Sequence, residues 1–269
     1  MASQEKQLMD LKLKNKRAFI SGSTKGIGKA IAKTLAEEGA EVIINGRSEK
    51  SIEIAKAEIL KEVPEAKITG IVCDFGKPES VEKLIKEIGE VDILINNVGV
   101  FSLTDFMEIP DSEWQRFYDV NVMSGVRLSR AFLPKMLKKD WGRIIFISSE
   151  SAINIPVEMV HYGMTKTAQL AISRGLAEIT KGTNVTVNSV LPGSTFSEGV
   201  QEMTGLDEGG DRKKVEKEFF DNARPTSLLQ RFAETQEVAN MVTYVASPLS
   251  SATNGASLRV DGGVVKTIY

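Results

Sequence analysis

An α/β fold, doubly wound around one parallel sheet with helices on both faces, is the class this 269-residue sequence predicts. Three features predict it. Short apolar runs alternate with longer amphipathic stretches, a glycine-rich turn follows the first apolar run directly, and no linker, repeat or low-complexity tract divides the chain. The runs Arg17–Gly22, Glu41–Asn45, Lys67–Cys73, Val91–Asn96 and Arg143–Ser148 read as near-continuously apolar strands, as a sheet covered on both faces requires. Asn184–Val190 and Ser257–Val260 complete a predicted seven strands. Between the first two, Ile27, Ile31 and Leu35 recur at helical spacing before Gly39 supplies a stop signal. Pro78 suits the first turn of the helix after Phe75 and Gly76.

Composition narrows the chemistry. At 42% hydrophobic and 26% charged residues the chain can bury a sizeable core. No apolar run approaches the roughly 18 residues of a membrane helix. The polar, lysine-rich stretch Met1–Arg17 lacks the apolar centre of a secretory signal, so a cytoplasmic protein is expected. A net charge of −2, with lysines spread evenly, gives no electrostatic footprint for nucleic acid. Cys73 and His161 are single, which leaves no internal disulfide and no cysteine- or histidine-based metal site. One domain over residues 13–269 is expected behind a polar leader at 1–12. Residues 194–232 break the alternation with Gly199, Gly205, Gly209, Gly210, Pro225 and a charge-dense stretch from Asp211 to Glu218. So long a connection points to a substrate lid, with a surface excursion as the plainer alternative.

The first strand runs into Gly22-Ser23-Thr24-Lys25-Gly26-Ile27-Gly28, where a helix begins. Glycines there permit a tight turn and close approach of phosphate oxygens, and the helix amino end adds N–H donors. Position between strand and helix points to a dinucleotide loop of the Rossmann type, with a tight turn that binds no ligand as the plainer alternative. The second strand ends without the carboxylate that commonly binds the ribose hydroxyls of NAD. Lys25 and Arg47 are placed instead to face a 2′-phosphate, which favours NADP(H) while leaving NAD(H) possible.

Tyr162 and Lys166 are four apart on a predicted helix and share one face. Ser149 lies at the carboxyl end of a strand, the end where open α/β sheets bind ligands, and Asn121 sits on the preceding long helix. With the glycine loop, Asp74, Asn96-Asn97-Val98-Gly99, Pro192-Gly193 and Val260-Asp261-Gly262-Gly263, these residues resemble the short-chain dehydrogenase/reductase family from Leu13 to Val264. The likeness is to its shorter single-domain branch, near the 3-oxoacyl-ACP reductase-like members. Val98 stands where the family usually has alanine, and Glu150-Ser151-Ala152 where many relatives carry smaller neutral residues.

The resemblance implies hydride transfer between a nicotinamide and a carbonyl or secondary alcohol. Tyr162 would be the general acid/base, Lys166 would lower its pKa and bind the nicotinamide ribose, and Ser149 would polarise the carbonyl. The residue matching Asn121 holds a relay water in the family. Asp74 and Phe75 would flank the adenine, Asn97 and Gly99 the adenosine ribose. Pro192 and Gly193 would lie by the nicotinamide, with Thr195 near the carboxamide or pyrophosphate. A homotetramer or homodimer is implied as well, built in the family from the two long helices after strands four and five and the C-terminal segment. His161 reads as a neighbour of Tyr162 rather than a proton carrier, because adjacent helix positions do not share a face. Ile153, Ile155, Pro156, Val157, Phe196 and Met203 are candidate pocket linings. Two other readings compete: an adenosyl-dependent transferase, in which Ser149, Tyr162 and Lys166 have no purpose, and a catalytically silent nucleotide-sensing regulator.

Overall fold

The computed structural model describes residues 9–268, so most of the predicted leader lies outside the described residues. Arg17–Ile20 (β1), Gly26–Glu37 (α1), Glu41–Gly46 (β2), Glu49–Glu62 (α2), Lys67–Val72 (β3), Pro78–Ile88 (α3) and Ile93–Asn96 (β4) form the first half. The second half continues with Asp111–Phe117 (α4), Ser124–Lys139 (α5), Gly142–Ile147 (β5), Val160–Ile179 (α6) and Val185–Pro192 (β6). It ends with Thr195–Phe196 (β7), Glu198–Thr204 (α7), Arg212–Asn222 (α8), Ala233–Glu234 (β8), Thr235–Ala246 (α9) and Ser257–Val260 (β9).

Seven strands make one parallel sheet in the order β3-β2-β1-β4-β5-β6-β9. The order reverses between β1 and β4, and the crevice above such a reversal is where open α/β sheets take their ligands. Alternate residues of each strand feed two cores. Ala18, Ile20, Ile44, Ile95 and Ile145 pack against Ile31 and Leu35 of α1 and Val238 and Val242 of α9. Phe19, Ile43, Leu94, Ile144 and Phe146 pack on the other face against Leu84 of α3 and Leu128 and Phe132 of α5. Each such side chain, once buried, contributes roughly 1.5–3 kcal/mol of transfer free energy. Leu13 is fully buried in the first core, which roots the chain just before β1.

One strand departs from the sequence reading. β3 buries only Ile68 and Ile71 rather than being buried throughout, because it is an edge strand with a neighbour on one side only. The irregular segment after β6 is also more ordered than its composition suggests. Thr195 pairs with Ala233 and Phe196 with Glu234, so a two-strand parallel bridge closes the base of a flap carrying α7 and α8. The flap has a small core of its own: Phe232 is fully buried, 5.0 Å from the Phe219 ring and 5.4 Å from Phe220. The Arg212 guanidinium lies 3.8 Å over Phe196 and is paired to Glu216 and Glu234. Among the described residues no helix is long and apolar enough to cross a membrane.

Candidate active site

The turn between β1 and α1 is built by residues that brace one another. Gly22 and Gly26 hold φ of +62° and +58°, a region that side chains with a Cβ rarely adopt. Gly28 answers a different demand: a Cβ there would lie 2.4 Å from the Gly22 carbonyl and 2.5 Å from Asn97 Nδ2. The Asn97 amide donates to the carbonyls of Ser21 and Gly22 at 3.0 and 2.8 Å, so the end of β4 holds the turn in shape. The Ser21 hydroxyl in return accepts from the amides of Asn97 and Val98. The amino end of α1, with its N–H groups unclaimed by the helix, then faces a cleft of about 470 Å³.

Ser149 is delivered to that cleft by β5, and Tyr162 and Lys166 by α6. Ser148 ties the two elements together, its hydroxyl donating to the Lys166 carbonyl at 2.9 Å. The Ser149 hydroxyl lies close enough to the Tyr162 phenol to favour its ionised form. Lys166 Nζ lies 5.5 Å from the centre of the Tyr162 ring and donates to the Ile147 carbonyl at 2.9 Å. Phe101 meets the ring edge-on, with centroids 6.3 Å apart. Burial disfavours the charged form of both groups. It pushes the Tyr162 phenol up to about 12, opposed by the Ser149 hydroxyl and reinforced by the Glu150 charge. It brings the Lys166 ammonium down to about 7. Among the described residues, then, the resting pair is a neutral phenol beside a lysine poised between charged and neutral near pH 7.

The cleft brings together Lys25, Gly26, Ile27, Gly28, Asn97, Gly99, Ser149, Tyr162, Lys166, Pro192, Gly193 and Thr195 of the expected residues. Thr24 packs its methyl over Gly46 at the end of β2, next to Arg47, and β3 alongside leads to Asp74. These three and Gly22 lie beyond the cleft, along the carboxyl ends of β1 to β3. Several side chains are not free for the roles expected of them. Ser23 is fully buried, its hydroxyl donating to the Ile20 carbonyl and accepting from the Asn45 amide. Phe75 is 3% exposed and belongs to the core under α3, because the chain turns it inward after β3. Thr195 turns its hydroxyl back to the Gly193 carbonyl at 2.9 Å, which leaves Ser197 beside Gly26. Asn121 uses its side chain to clamp Val100 from both sides and to reach Thr165, so it fixes the loop after β4 to α6. The linings Ile153, Ile155 and Val157 are exposed outside the cleft, and Phe196 belongs to the flap core; of that set only Met203 lines the cleft. His161 is fully buried against Phe117 with Nε2 3.1 Å from the Ser102 hydroxyl, and burial lowers its pKa, in keeping with a neighbour's role.

Other features had no sequence signal. The flap lays Glu198 over the glycine turn, where its carboxylate accepts from the Gly26 amide at 2.8 Å. Arg224, also from the flap, donates to Glu150 at 2.8 Å in a pair that is almost wholly buried at the cleft wall. Burial raises the Glu150 carboxyl although Arg224 opposes the shift. Gln169 lies beneath Lys166. Phe101, Leu103, Val200 and Phe219 give the substrate end an apolar side. Glu198 and Arg224 are remote in sequence from Gly26 and Glu150, so no local pattern could have announced those two contacts.

A Rossmann sheet with a glycine turn at its switch point and a serine–tyrosine–lysine set in the adjoining cleft defines a nicotinamide-dependent oxidoreductase. Comparison with known proteins agrees. The family model for short chain dehydrogenases matches residues 16–205. The uncharacterized oxidoreductase YvaG of Bacillus subtilis is 50% identical over 264 residues, covering 97% of this chain and 100% of that one. The 3-oxoacyl-[acyl-carrier-protein] reductase FabG of Aquifex aeolicus is 33% identical over 260 residues, covering 95% and 100%. The crystal structure of L-sorbose reductase from Gluconobacter frateurii, complexed with NADPH and L-sorbose, superposes with a TM-score of 0.89 at 31% identity, covering 97% and 100%. The chain belongs to the short-chain dehydrogenase/reductase family, and it is an NAD(P)-dependent oxidoreductase.

Proposed function

We propose that the protein is an NADP(H)-preferring carbonyl reductase or secondary-alcohol dehydrogenase in which Tyr162 is the general acid/base. The observation that carries this is the convergence of Ser149, Tyr162 and Lys166 on one cleft continuous with the glycine turn. The residues present fit a dinucleotide: Gly28 lets the turn pack tightly, and the amino end of α1 that it brings to the cleft offers N–H donors. Gly26, Ile27 and Gly28 would hold the phosphates, Thr24, Arg47 and Asp74 the adenosine half, and Lys166, Pro192 and Gly193 the nicotinamide half. The nicotinamide, when bound, supplies or accepts the hydride.

The protein's own part is to place the carbonyl and move one proton. The Ser149 hydroxyl donates to the carbonyl oxygen and stabilises the charge that develops there. Tyr162 gives its phenolic proton to that oxygen in reduction and removes it in oxidation. The Lys166 ammonium beside the ring favours phenolate over phenol, against the burial that raises the phenol. The flap residues Val200, Met203 and Phe219 serve as a lid that keeps water from the reacting atoms. NADPH in the L-sorbose reductase structure supports the cofactor preference argued from Arg47. The proposed working form is a homotetramer or homodimer in the cytoplasm, turning over a small carbonyl or alcohol. A regulator without activity would have no use for the assembled triad.

Tyr162→Phe removes only the phenolic oxygen. It should leave NADPH binding unchanged by fluorescence titration while lowering kcat by about 10²–10⁴ on the best substrate of a carbonyl panel. Near-normal turnover would overturn the assignment.

A further inference from the structure

Gln169 is buried at 2% exposure under the catalytic helix, a place where an apolar side chain would cost less to desolvate. It stands three residues after Lys166 on α6, hence on the same helix face. Its amide nitrogen donates to the main-chain carbonyl of Asn121 at 2.6 Å. Its amide oxygen faces Lys166 Nζ at 3.4 Å. Residues Tyr118–Met123 form a π-turn, in which the main-chain hydrogen bonds slip by one residue, and the Asn121 carbonyl lies within it. The turn thus offers an acceptor that the carboxamide claims.

An ammonium has three N–H donors. One goes to Ile147, one points to Gln169, and the third is left for the cleft. With Lys166 4% exposed and Asn121 fully buried, water is largely excluded from this contact. We propose that Gln169 is a positioning residue for the reaction: its carboxamide, braced on Asn121, fixes the Lys166 ammonium beside Tyr162 and stabilises its charge. The proposal rests on Tyr162 and Lys166 being the acid–base pair. The other charged groups facing that pair are Glu150, after β5, and Arg224, from the flap; both act on Tyr162, and neither moves Lys166.

The test follows Lys166 directly, by NMR titration of its labelled side-chain amine in cofactor-free protein. Gln169→Met keeps the length and removes the amide; Gln169→Glu keeps an acceptor oxygen. The methionine variant should titrate Lys166 about one pH unit lower than the wild type, the size expected for losing one hydrogen bond to a buried charge. The rise of kcat/KM with pH in alcohol oxidation should move up by a similar amount, because a less-charged lysine favours the phenolate less. Gln169→Glu should return the Lys166 titration to the wild-type value or above it. A folded methionine variant with an unshifted Lys166 titration overturns the proposal, as does a glutamate variant that titrates like the methionine one. Should methionine prevent folding, the glutamate variant alone decides: Lys166 titrating below the wild type overturns the proposal. The NMR readout needs no turnover. Failure of the acid–base reading would therefore appear separately, as unaltered activity in Tyr162→Phe.

Discussion

Arg47 and Lys25 look equivalent as letters, two cations near one phosphate site, but they stand differently. Lys25 reaches across to Glu202 of the flap at 3.4 Å, with both side chains more than half exposed. Arg47 is exposed at the end of β2 and has no ion-pair partner among the described residues. A guanidinium there can meet a phosphate through two parallel hydrogen bonds, and a carboxylate in its place would repel it. Arg47→Asp should therefore cut the ratio of kcat/KM for NADPH over NADH by about tenfold or more, the scale of one charge-assisted hydrogen bond. Steady-state kinetics with both cofactors checks this, and an unchanged ratio, or a wild type that prefers NADH, refutes it. At this scale much was legible: Tyr162, Lys166, Ser149 and the loop glycines each carry their chemistry in their type and spacing. Ser23, Phe75 and Thr195 show the limit. A residue's name states what it can do, but the direction of its side chain depends on what packs behind it.

At the scale of elements the flap is the part proposed to control access. α7 begins with Glu198, whose carboxylate sits on the Gly26 amide at the amino end of α1, where an anion is favoured. A dinucleotide phosphate needs the same donors and brings like charge to the carboxylate. On the proposed site, binding the cofactor would require α7 to release this contact. Glu198→Gln, which keeps the shape and removes the charge, should tighten NADPH binding several-fold in a fluorescence titration. Weaker binding would mean that the carboxylate supports the turn rather than competing for it. Segment 194–232 was marked in the sequence by glycines and charge, yet its helices and its two-strand base were not, because β7 and β8 are two residues each and pair across more than thirty positions. The five interior strands were legible because burial on both faces demands unbroken apolar runs; β3 and β9, the two edges, escape that rule.

The whole molecule leaves an apolar stripe uncovered. Ala171, Gly175 and Ile179 are exposed at four-residue spacing along α6, one of the two long helices expected to form subunit contacts. A Cβ on Gly175 would touch nothing among the described residues, which leaves the surface there open to a second helix. Light scattering should find two or four times the 29.4 kDa chain mass in the wild type. Gly175→Arg should lower that mass, since it places a charge where helices must meet closely. A wild-type monomer at micromolar concentration would refute the expected assembly.

By itself the sequence determined the architecture and pointed to the residues proposed to react. Apolar periodicity dictates strands and helices, and the tyrosine–lysine spacing and the glycine turn are local patterns whose geometry follows from the helix and the strand-to-helix turn. Only the tertiary structure decided what surrounds them: Gln169 on the Asn121 carbonyl 48 positions away, Arg224 on Glu150 74 positions away, and Glu198 on Gly26 172 positions away. Such contacts carry no periodic signal. They form only when folding brings distant elements together and burial makes an unpaired polar group costly, and that cost selects the partners.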